Sequence, residues 1–372
     1  MIIFNALQTT LSGGIGRYCY ELSKELYLIC NDIKIVIREE DKDLFSFAKN
    51  KDLIIIKGIS SGAKRNVFEQ FKLPFIIKKK YPNAVIHYPD SMSPLLAKNK
   101  CIITVHDIAF RALKDVFTWK TKIWKNISTT LSVKKANRII SISEYTKCEL
   151  EKYYGKSVKG KVDVVLNGFN DFSNEPIDES VIRDNILRLK NEKYILTVST
   201  ISPRKNIDGL IKAYDKLEDK KDTKLVVAGA YGWLYNDVLN LVEQLKLKEY
   251  VIFTGKINDN ELKYLYSNCE LFAYLSFYEG FGLPPLEAMS YGKKCIVSDT
   301  SSIPEVVGDA AIKINPYNIE EISYSIDNVL NKNDMKLSSD KIKKNIERFS
   351  WEKCAEGTIK VYKNILNKDC TK

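Results

Sequence analysis

Short runs of valine and isoleucine alternate with longer amphipathic stretches along almost the whole chain, and this alternation constrains the fold more than any other feature. Such continuous apolar runs are typical of strands buried on both faces of a parallel sheet. The stretches between them have helical spacing, which places apolar residues on one face of a helix. In the first such stretch these residues are Ile15, Cys19, Leu22, Leu26 and Ile29. We therefore predict an α/β fold made of strand–helix units.

The apolar runs divide into two sets of similar size. In the first half the predicted strands are Ile2–Phe4, Ile33–Ile37, Leu53–Ile56, Ala84–Tyr88, Ile102–Val105, Ile139–Ile142 and Val162–Leu166. In the second half they are Tyr194–Val198, Leu225–Ala228, Val251–Phe253, Leu271–Leu275, Cys295–Val297 and Ala311–Ile314. A chain of 372 residues exceeds one comfortable core, so we predict two doubly wound, Rossmann-like domains of about six strands each. The turn-rich segment Asn170–Pro176 marks the boundary between a domain over 1–170 and a domain over 171–349.

The segment Tyr278-Glu-Gly-Phe-Gly-Leu-Pro-Pro-Leu-Glu287 combines two acids with a predicted strand-to-helix turn. Glycines punctuate the loop, and two prolines stand where a helix would begin. We expect Glu279 at the carboxyl end of the strand and Glu287 in the first helical turn. The backbone N–H groups expected to be open are those of Gly280, Phe281 and Gly282. Carboxylates suit sugar hydroxyls and a helix N-terminus suits phosphate, so the segment predicts a site for a sugar attached to a phosphate; a ligand-free turn is the structural alternative.

A second glycine-containing loop, Ser12-Gly-Gly-Ile-Gly-Arg-Tyr18, follows the first predicted strand and opens a helix. Cys19 stands where the dinucleotide fingerprint has its third glycine, so nicotinamide binding is poorly supported. Gly13 and Gly14 at a helix N-terminus still allow a phosphate or sugar to approach the backbone closely. A tight turn without a ligand would have the same sequence.

Charged and titratable residues follow two other predicted strands. Arg204 and Lys205, in Ser202-Pro-Arg-Lys-Asn206, could stabilise the charge of a departing nucleotide diphosphate without a metal. His106 follows a strand beside an acid, and His87 is a weaker candidate. Two basic residues after a strand and a lone histidine at a strand end also occur as purely structural features.

These motifs resemble the large retaining glycosyltransferase family that includes sucrose synthases and bacterial mannosyltransferases. The resemblance covers nearly the whole chain, is strongest from Tyr194 to Asp309, which includes Ser301–Gly308, and is weakest between 58 and 130. It implies the GT-B fold, in which two Rossmann-like domains face each other across a cleft. It also implies that the C-terminal helix over 350–372 crosses back and packs on the first domain.

The resemblance implies roles for individual residues. The catalytic residues would be His106, Glu279, Arg204 and Lys205. The donor-binding residues would be Gly13, Gly14, Arg204, Lys205, Gly255, Ile257, Glu279, Gly280, Phe281, Gly282, Leu283 and Glu287. Among these, Glu287 would bind the ribose diol, and Gly255-Lys-Ile257 would hold the base through its backbone. Tyr231-Gly-Trp233 could border the base.

The activity implied is retaining transfer of a hexose, with mannose favoured, from a nucleotide diphosphate sugar to a glycan acceptor. The motifs look most like enzymes that use GDP-mannose to extend lipid-linked polysaccharide or lipopolysaccharide. Alternatives are a rhamnosyltransferase or UDP-sugar transferase of the same fold, a related epimerase or phosphorylase, and a non-catalytic two-domain sugar-binding protein. We expect no cofactor and no metal. The metal-binding pattern Asp41-Lys-Asp43 lies in the charged run Arg38–Asp43, which is typical of a solvated loop.

The net charge of +11 is concentrated in two patches that also contain large apolar residues. Arg111–Arg138 holds eight basic residues and one acid, with tryptophans and isoleucines between them, and Phe71–Tyr81 holds four lysines and no acid. This combination favours the surface of an anionic membrane. The alternative is a solvated helix whose aromatic residues face the core. Nucleic acid is a poorer candidate partner, because no recognised nucleic-acid-binding motif accompanies the charge.

The remaining sequence features concern the compartment. There is no run of about 18 apolar residues and no recognisable signal peptide. The eight cysteines never form a Cys-x-x-Cys pair, which indicates buried thiols in a reducing compartment. We therefore expect a cytoplasmic protein that is peripherally associated with the inner face of the membrane.

Overall fold

A computed structural model of the chain describes residues 1–11, 13–59, 61–113, 119–218, 220, 222–332 and 338–366, without the side chains of Lys120 and Lys332. The chain divides into two compact units. Unit 1 comprises Met1–Gly168 and Phe349–Lys372, and unit 2 comprises Phe169–Arg348. These bounds fall within two residues of the predicted boundaries.

Unit 1 contains a parallel sheet of seven described strands in the order β3-β2-β1-β4-β5-β6-β7. The strands are β1 Ile2–Asn5, β2 Ile33–Arg38, β3 Leu53–Ile56, β4 Val85–Tyr88, β5 Cys101–Val105, β6 Arg138–Ser141 and β7 Val162–Val164. The α-helices are α1 Gly14–Ile29, α2 Gly62–Phe71, α3 Leu73–Lys80, α4 Ala109–Ala112, α5 Trp119–Lys135, α6 Glu144–Tyr154 and the C-terminal helix Trp351–Leu366.

The sheet of unit 1 is buried on both faces, as the unbroken apolar runs predict. Along β1, Ile2 and Phe4 belong to one apolar cluster and Ile3 belongs to the other, because successive side chains point to opposite faces. The C-terminal helix packs on α1 and contributes Tyr362 to the first cluster. This is the position that the resemblance implies for it; residues 367–372 lie outside the described part of the chain.

Unit 2 contains a parallel sheet of six described strands in the order β10-β9-β8-β11-β12-β13. The strands are β8 Tyr194–Val198, β9 Lys224–Ala228, β10 Val251–Gly255, β11 Leu271–Tyr274, β12 Lys294–Ser298 and β13 Ile312–Ile314. The α-helices are α7 Asp184–Leu187, α8 Ile207–Asp215, α9 Tyr235–Gln244, α10 Asp259–Asn268, α11 Leu283–Ser290, α12 Ile303–Val307, α13 Ile319–Asp327 and α14 Ser339–Ile346.

The predicted fold class, α/β with two Rossmann-like units, is confirmed. Every predicted strand is present, and its ends differ from the prediction by at most two residues. In unit 2 the strand order reverses between β8 and β11, and in folds of this kind ligands bind beyond the carboxyl ends of the strands at that point. The loops after β8 and β11 carry the motifs that the sequence singled out.

Two other structural features bear on the predictions about the compartment. Within the described residues, none of the helices combines the length and the apolar character that a membrane span needs. The seven described cysteines are all free thiols, and six of them are buried while Cys148 is exposed. Cys370 lies outside the described part of the chain.

Candidate active site

The loop after β8 presents Arg204 and Lys205 from a short 3-10 turn, Pro203–Lys205. Asn206 follows with φ 54° and ψ 37°, a left-handed conformation that asparagine adopts more readily than most residues. Its side-chain amide donates to the carbonyl oxygen of Pro316 at 2.8 Å. Gly209 leaves room for that side chain, because a Cβ there would lie 2.2 Å from Asn206 Oδ1. The backbone that carries the two cations is thus fixed by contacts within unit 2.

Glu279 lies between these two cations. Lys205 Nζ is 2.6 Å from Oε1 of Glu279, and an Nη atom of Arg204 is 2.8 Å from Oε2. The Tyr274 hydroxyl donates to Oε1 at 2.9 Å and accepts a hydrogen bond from Lys205 Nζ at 3.0 Å. Only 7% of Glu279 is exposed. We call these four residues the Glu279 cluster. The structure brings together three residues that the sequence predicts and adds Tyr274.

The Glu279 cluster carries an excess positive charge. Burial is the largest single influence on the Glu279 carboxyl and raises its pKa, but the charges of Lys205 and Arg204 outweigh it and lower the pKa to about 2. Burial and the adjacent Glu279 carboxylate raise the pKa of Tyr274 well above its ordinary value. At neutral pH the cluster therefore holds two cations, one carboxylate and a neutral hydroxyl, which leaves one positive charge to attract an anion.

The loop that carries Glu279 is anchored by the segment after β12. The Glu279 N–H donates to Ser301 Oγ at 3.0 Å. The Ser302 hydroxyl donates to the carbonyl oxygens of Glu279 and Phe281, at 3.0 and 2.9 Å. The sequence indicated Ser301–Gly308 only as part of the family resemblance. The hydrogen bonds show that Ser301 and Ser302, the first two residues of this segment, hold the backbone of the Glu279 loop.

Glu287 lies in the second turn of α11, so the prediction that it lies in the first turn was wrong. The helix begins at Leu283, and Gly282, with φ 108°, is its N-cap. Glu287 Oε2 accepts a hydrogen bond from the buried Tyr266 hydroxyl at 2.9 Å. Burial and the Glu287 charge raise the pKa of Tyr266 well above its ordinary value, so the hydroxyl remains a donor. Sequence reasoning missed Tyr266, which lies on α10.

The loop after β10, predicted to hold a base, begins at Gly255 with φ 66°. Arg183 donates to the carbonyl oxygens of the residues before and after Gly255, at 2.9 and 3.0 Å, and pairs with Glu261 at 2.6 Å. The Tyr231 ring lies beside this loop, since a Cβ on Gly255 would be 3.9 Å from the ring. Solvent reaches Tyr231, Trp233 and, in part, Ile257. The loop therefore combines a braced backbone with an accessible aromatic ring.

In unit 1 the glycine loop has open backbone at its start. Gly13 is the N-cap of α1 with φ 105°, and Gly14 is the first helical residue. A Cβ on either glycine would meet no heavy atom within 4 Å among the described residues. A Cβ on Gly16 would lie 2.1 Å from Thr10 Oγ1, so that glycine is needed for packing. Ser12 lies outside the described part of the chain.

His106 follows β5 and is half-buried. Its Nε2–H donates to the carbonyl oxygen of Pro89 at 3.1 Å, and its ring meets Tyr18 edge-on at 4.8 Å. Burial lowers the pKa of His106, so the imidazole is neutral at neutral pH. With Nε2 protonated, Nδ1 is the nitrogen that can accept a hydrogen bond from a hydroxyl.

His87 is a core residue and not a site residue. It is fully buried between Tyr362, 2.7 Å from Nδ1, and Thr104, 2.8 Å from Nε2. Burial lowers its pKa to about 3. Because both ring nitrogens have protein partners, the imidazole ties β4 to the C-terminal helix.

Two polar contacts at the carboxyl ends of the unit 1 strands were not predicted. The side chain of Gln8 donates to Asp90 at 3.1 Å, and the charge of Asp90 partly offsets the effect of burial on the His106 pKa. The side chain of Asn5 donates to the buried Glu69 at 2.6 Å. Burial raises the pKa of Glu69 to about 7. Isolated acids such as these have no local sequence signature.

Asp41 of the Asp-x-Asp pattern is engaged by a protein cation. Arg38 donates to both of its carboxylate oxygens at 2.7 Å, whereas Asp43 is exposed to solvent. Among the residues that the structure describes, no group of three His, Cys, Asp or Glu side chains is arranged to hold a metal ion.

The chain thus has two Rossmann-like units, and in unit 2 a cationic pair lies beside a buried carboxylate at the point where the strand order reverses. The sequence model described as "Glycosyl transferases group 1" matches residues 178–349, and the one described as "Glycosyltransferase Family 4" matches residues 12–171. The chain belongs to the group 1 glycosyltransferase family and is a glycosyltransferase with the GT-B fold.

Individual relatives agree with this assignment. The chain is 29% identical to the O-antigen chain mannosyltransferase B of Escherichia coli, over 94% of this chain and 96% of the relative. It is 31% identical to the O-antigen chain mannosyltransferase RfbU of Salmonella typhimurium, over 61% of this chain and 60% of the relative. The crystal structure of Anabaena Alr3699/HepE in complex with UDP and glucose has the same fold, with a TM-score of 0.74 and 17% identity over 99% of this chain and 100% of that chain.

Proposed function

We propose that this glycosyltransferase is a retaining, metal-independent mannosyltransferase that takes mannose from GDP-mannose. Its acceptor would be a lipid-linked glycan in the synthesis of a polysaccharide or lipopolysaccharide. The Glu279 cluster is the observation that carries the transfer chemistry, because its excess positive charge suits a diphosphate. Mannose and the glycan acceptor are supported by the names of the two relatives, both of which are O-antigen chain mannosyltransferases.

The leaving group would be stabilised by Arg204 and Lys205. Negative charge grows on the diphosphate as the bond from the sugar C1 to the phosphate oxygen breaks. Two cations already held in place by Glu279 and Tyr274 meet that charge without reorganisation. They occupy the role that a divalent ion has in metal-dependent transferases, which supports metal independence. Full activity after chelation with EDTA would be the expected result.

Glu279 is poorly suited to act as a nucleophile. Both of its oxygens are held by cations or by Tyr274, and the pKa of about 2 marks a weakly basic carboxylate. We therefore favour a route in which the acceptor hydroxyl attacks from the side of the leaving group. The acceptor oxygen bonds to C1, the bond from C1 to the phosphate oxygen breaks, and the acceptor proton passes to that phosphate oxygen. Glu279 would accept a hydrogen bond from a hydroxyl of the donor sugar, and in unit 1 Nδ1 of His106 is the atom that could accept one from a hydroxyl.

The first test is calorimetric binding of GDP, UDP and dTDP, followed by transfer from the corresponding sugars with anomeric configuration read by NMR. Tightest binding of GDP and an axial mannoside product are expected. Arg204→Ala and Lys205→Ala should each lower the transfer rate about 100-fold, whereas neutralising the exposed Lys248 should not. A protein that binds sugars but releases no nucleotide would support the sugar-binding alternative, and preference for UDP would support the UDP-sugar alternative.

Attachment to an anionic membrane is the second part of the proposal, and it is supported by the exposed side of α5. Five large apolar side chains on this helix are exposed to between 40 and 68%: Trp119, Ile123, Trp124, Ile127 and Leu131. The alternative that the tryptophans face the core is therefore wrong. Lys122 and Lys125 lie on the same helix. Lys114, Asp115 and Phe117 lie outside the described part of the chain, as does the side chain of Lys120.

The second basic patch adjoins the first through the loop before β5. Leu95 N–H donates to Gln70 of α2 at 3.3 Å, and Lys135 of α5 donates to the Leu95 carbonyl oxygen at 2.6 Å. Exposed apolar residues continue along this path: Val67, Phe71 and Phe75 on α2 and α3, and Leu95 and Leu96 on the loop. Apolar rings beside lysines are the composition that binds the interface of anionic lipids.

Sedimentation with liposomes tests this attachment. Binding to vesicles that contain phosphatidylglycerol, and not to phosphatidylcholine alone, is expected. Neutralising Lys120, Lys122 and Lys125 together with Trp124→Ala should abolish it, while neutralising Lys216, Lys248 and Lys313 in unit 2 should not. Unchanged sedimentation of the first variant would reject the membrane surface without affecting the assignment of the reaction.

A further inference from the structure

Tyr317 and Phe277 form a stacked aromatic pair in unit 2 to which the proposed transfer step assigns no role. Their ring centroids are 4.6 Å apart and their planes differ by 16°. Phe277 is partly buried, whereas Tyr317 is 67% exposed. One face of the tyrosine ring therefore rests on Phe277 and much of the rest of the ring is open to solvent.

The pair is held by the same contacts that hold the Glu279 cluster. Tyr317 N–H donates to the side chain of Asn315 at 3.0 Å, and the preceding residue accepts a hydrogen bond from the buried Asn206. Phe277 N–H donates to the carbonyl oxygen of Arg204 at 2.9 Å. These contacts hold the exposed ring in place before a ligand binds. Stacking of a ligand on the ring would therefore cost the Tyr317 side chain little further conformational entropy.

The position of the pair separates it from the predicted base loop. Phe277 is two residues from Glu279, a distance of at most about 7 Å along an extended chain. Tyr317 follows β13. In the base loop, Tyr231 follows β9 and Gly255 is the last residue of β10, and both of these strands lie on the other side of β8 in the sheet order. In the sheet order, the strand that precedes Tyr317 therefore lies on the opposite side of β8 and β11 from the strands that carry the base loop.

We propose that Tyr317 is a stacking platform for a pyranose ring of the acceptor glycan. A pyranose has an apolar face of C–H groups that can cover an aromatic ring while its hydroxyls stay hydrated at the edge. The paired rings carry no charge, so they offer nothing to a phosphate, and the phenol hydroxyl of Tyr317 can bond a hydroxyl at the rim. The inference rests on the proposed function, since it takes the acceptor to be a mannose-containing glycan.

Binding of α-mannotriose to the GDP-saturated protein, measured by saturation-transfer NMR titration, tests the platform. Tyr317→Ala should weaken saccharide binding about fivefold, because stacking of this kind contributes about 1 kcal/mol. Tyr317→Phe should bind within twofold of the wild type. Tyr317→Leu keeps an apolar cover over Phe277 without a flat ring, so it should lose affinity as the alanine variant does.

Tyr324 provides a matched control, because it is a tyrosine of the same unit with 64% exposure. Tyr324→Ala should leave saccharide binding unchanged. The proposal is overturned if the wild type binds no mannotriose in the presence of GDP, or if Tyr317→Leu binds it as the wild type does. It is also overturned if Tyr317→Ala weakens GDP binding by the same factor, since the ring would then serve the nucleotide.

These outcomes are distinguishable from failure of the proposed function. If no nucleotide diphosphate binds, the assignment of the donor site fails, and the titration is repeated without nucleotide, where the same Tyr317 variants must still lose affinity. If GDP binds and transfer occurs, but the Tyr317 variants match the wild type, only the platform is wrong.

Discussion

Replacing Glu279 by glutamine should have opposite effects on nucleotide binding and on transfer. Glutamine has nearly the shape of the carboxylate but no charge, and its NH2 group replaces one of the two oxygens that accept hydrogen bonds from Lys205, Tyr274 and Arg204. In the wild type the carboxylate is paired to Lys205 and Arg204 at 2.6 and 2.8 Å. A bound diphosphate must share those cations with it. Without the carboxylate, a bound diphosphate no longer shares the two cations with Glu279.

The magnitudes follow from the charges. The pKa of Glu279 is lowered from 4.5 to about 2, so its ionisation contributes about 3 kcal/mol to stability at neutral pH. Glu279→Gln should lose about that amount, a fall of about 6–12 °C in Tm for a unit of this size. The excess charge of the cluster rises from one to two. At an effective dielectric constant of about 20, the added charge is worth about 1.4 kcal/mol even at about 12 Å from one phosphate charge, which is about tenfold tighter binding.

The sign of the pH dependence is also determined. A carboxyl whose folded pKa is depressed contributes stability above its unfolded pKa and loses that contribution as the pH falls toward the folded pKa. The stability difference between wild type and Glu279→Gln should therefore be complete above about pH 5. It should shrink between pH 4.5 and about 2.

Calorimetry with GDP and UDP measures nucleotide affinity, thermal denaturation measures Tm, and a transfer assay measures the reaction rate. GDP or UDP should bind more tightly, Tm should fall, and transfer should fall about 100-fold because the sugar loses an anionic acceptor of hydrogen bonds. Glu270→Gln removes an exposed carboxylate of the same unit and should change none of the three. Weaker nucleotide binding by Glu279→Gln would refute the reasoning, since Glu279 would then contact the nucleotide and not compete with it.

Three further predictions concern unit 1. Burial lowers the pKa of His87 to about 3, so only the unfolded chain gains a proton at this residue between pH 7.5 and 5. The free energy of unfolding, measured with urea, should therefore fall over that range by about 2 kcal/mol more for the wild type than for His87→Gln. Burial raises the pKa of Glu69 to about 7, so the ionised carboxylate destabilises the folded protein above that pH. Glu69→Gln removes the charge and keeps the oxygen that accepts from Asn5, so it should raise Tm at pH 8. At pH 5, where the wild-type carboxyl is protonated, the two proteins should have similar Tm values. Gly16→Ala would place a Cβ 2.1 Å from Thr10 Oγ1 and should lower the free energy of unfolding by about 1–3 kcal/mol, measured with denaturant. Gly14→Ala is the control, because a Cβ at Gly14 has open space around it.

The strands and the site loops could be predicted from sequence because their signals are local. A buried parallel strand is a continuous apolar run, and the carboxyl end of that run is where the loop residues must lie. Arg204, Lys205 and Glu279 were predicted to share a site for that reason. The turn that contains Glu287 was misplaced because the conformation of Gly282, and not a composition signal, decides where α11 begins.

The remaining features depend on contacts between residues far apart in the chain. Tyr274 reads as a strand residue, and only the fold brings its hydroxyl to Glu279 and Lys205. The side of α5 that bears Trp119 and Trp124 has the apolar spacing of a core-facing helix, so periodicity alone could not show that it is exposed.

The same limitation explains why the aromatic pair escaped the sequence. Phe277 and Tyr317 are separated by 40 positions, and each alone is an ordinary loop aromatic. Asn206 has a left-handed backbone, and its side chain ties the loop after β8 to the loop after β13, which carries Tyr317. A residue that orients the cations of the Glu279 cluster therefore also sets the position of the exposed ring. Asn206→Ala should weaken both diphosphate binding and saccharide binding, whereas Tyr317→Leu should weaken only saccharide binding.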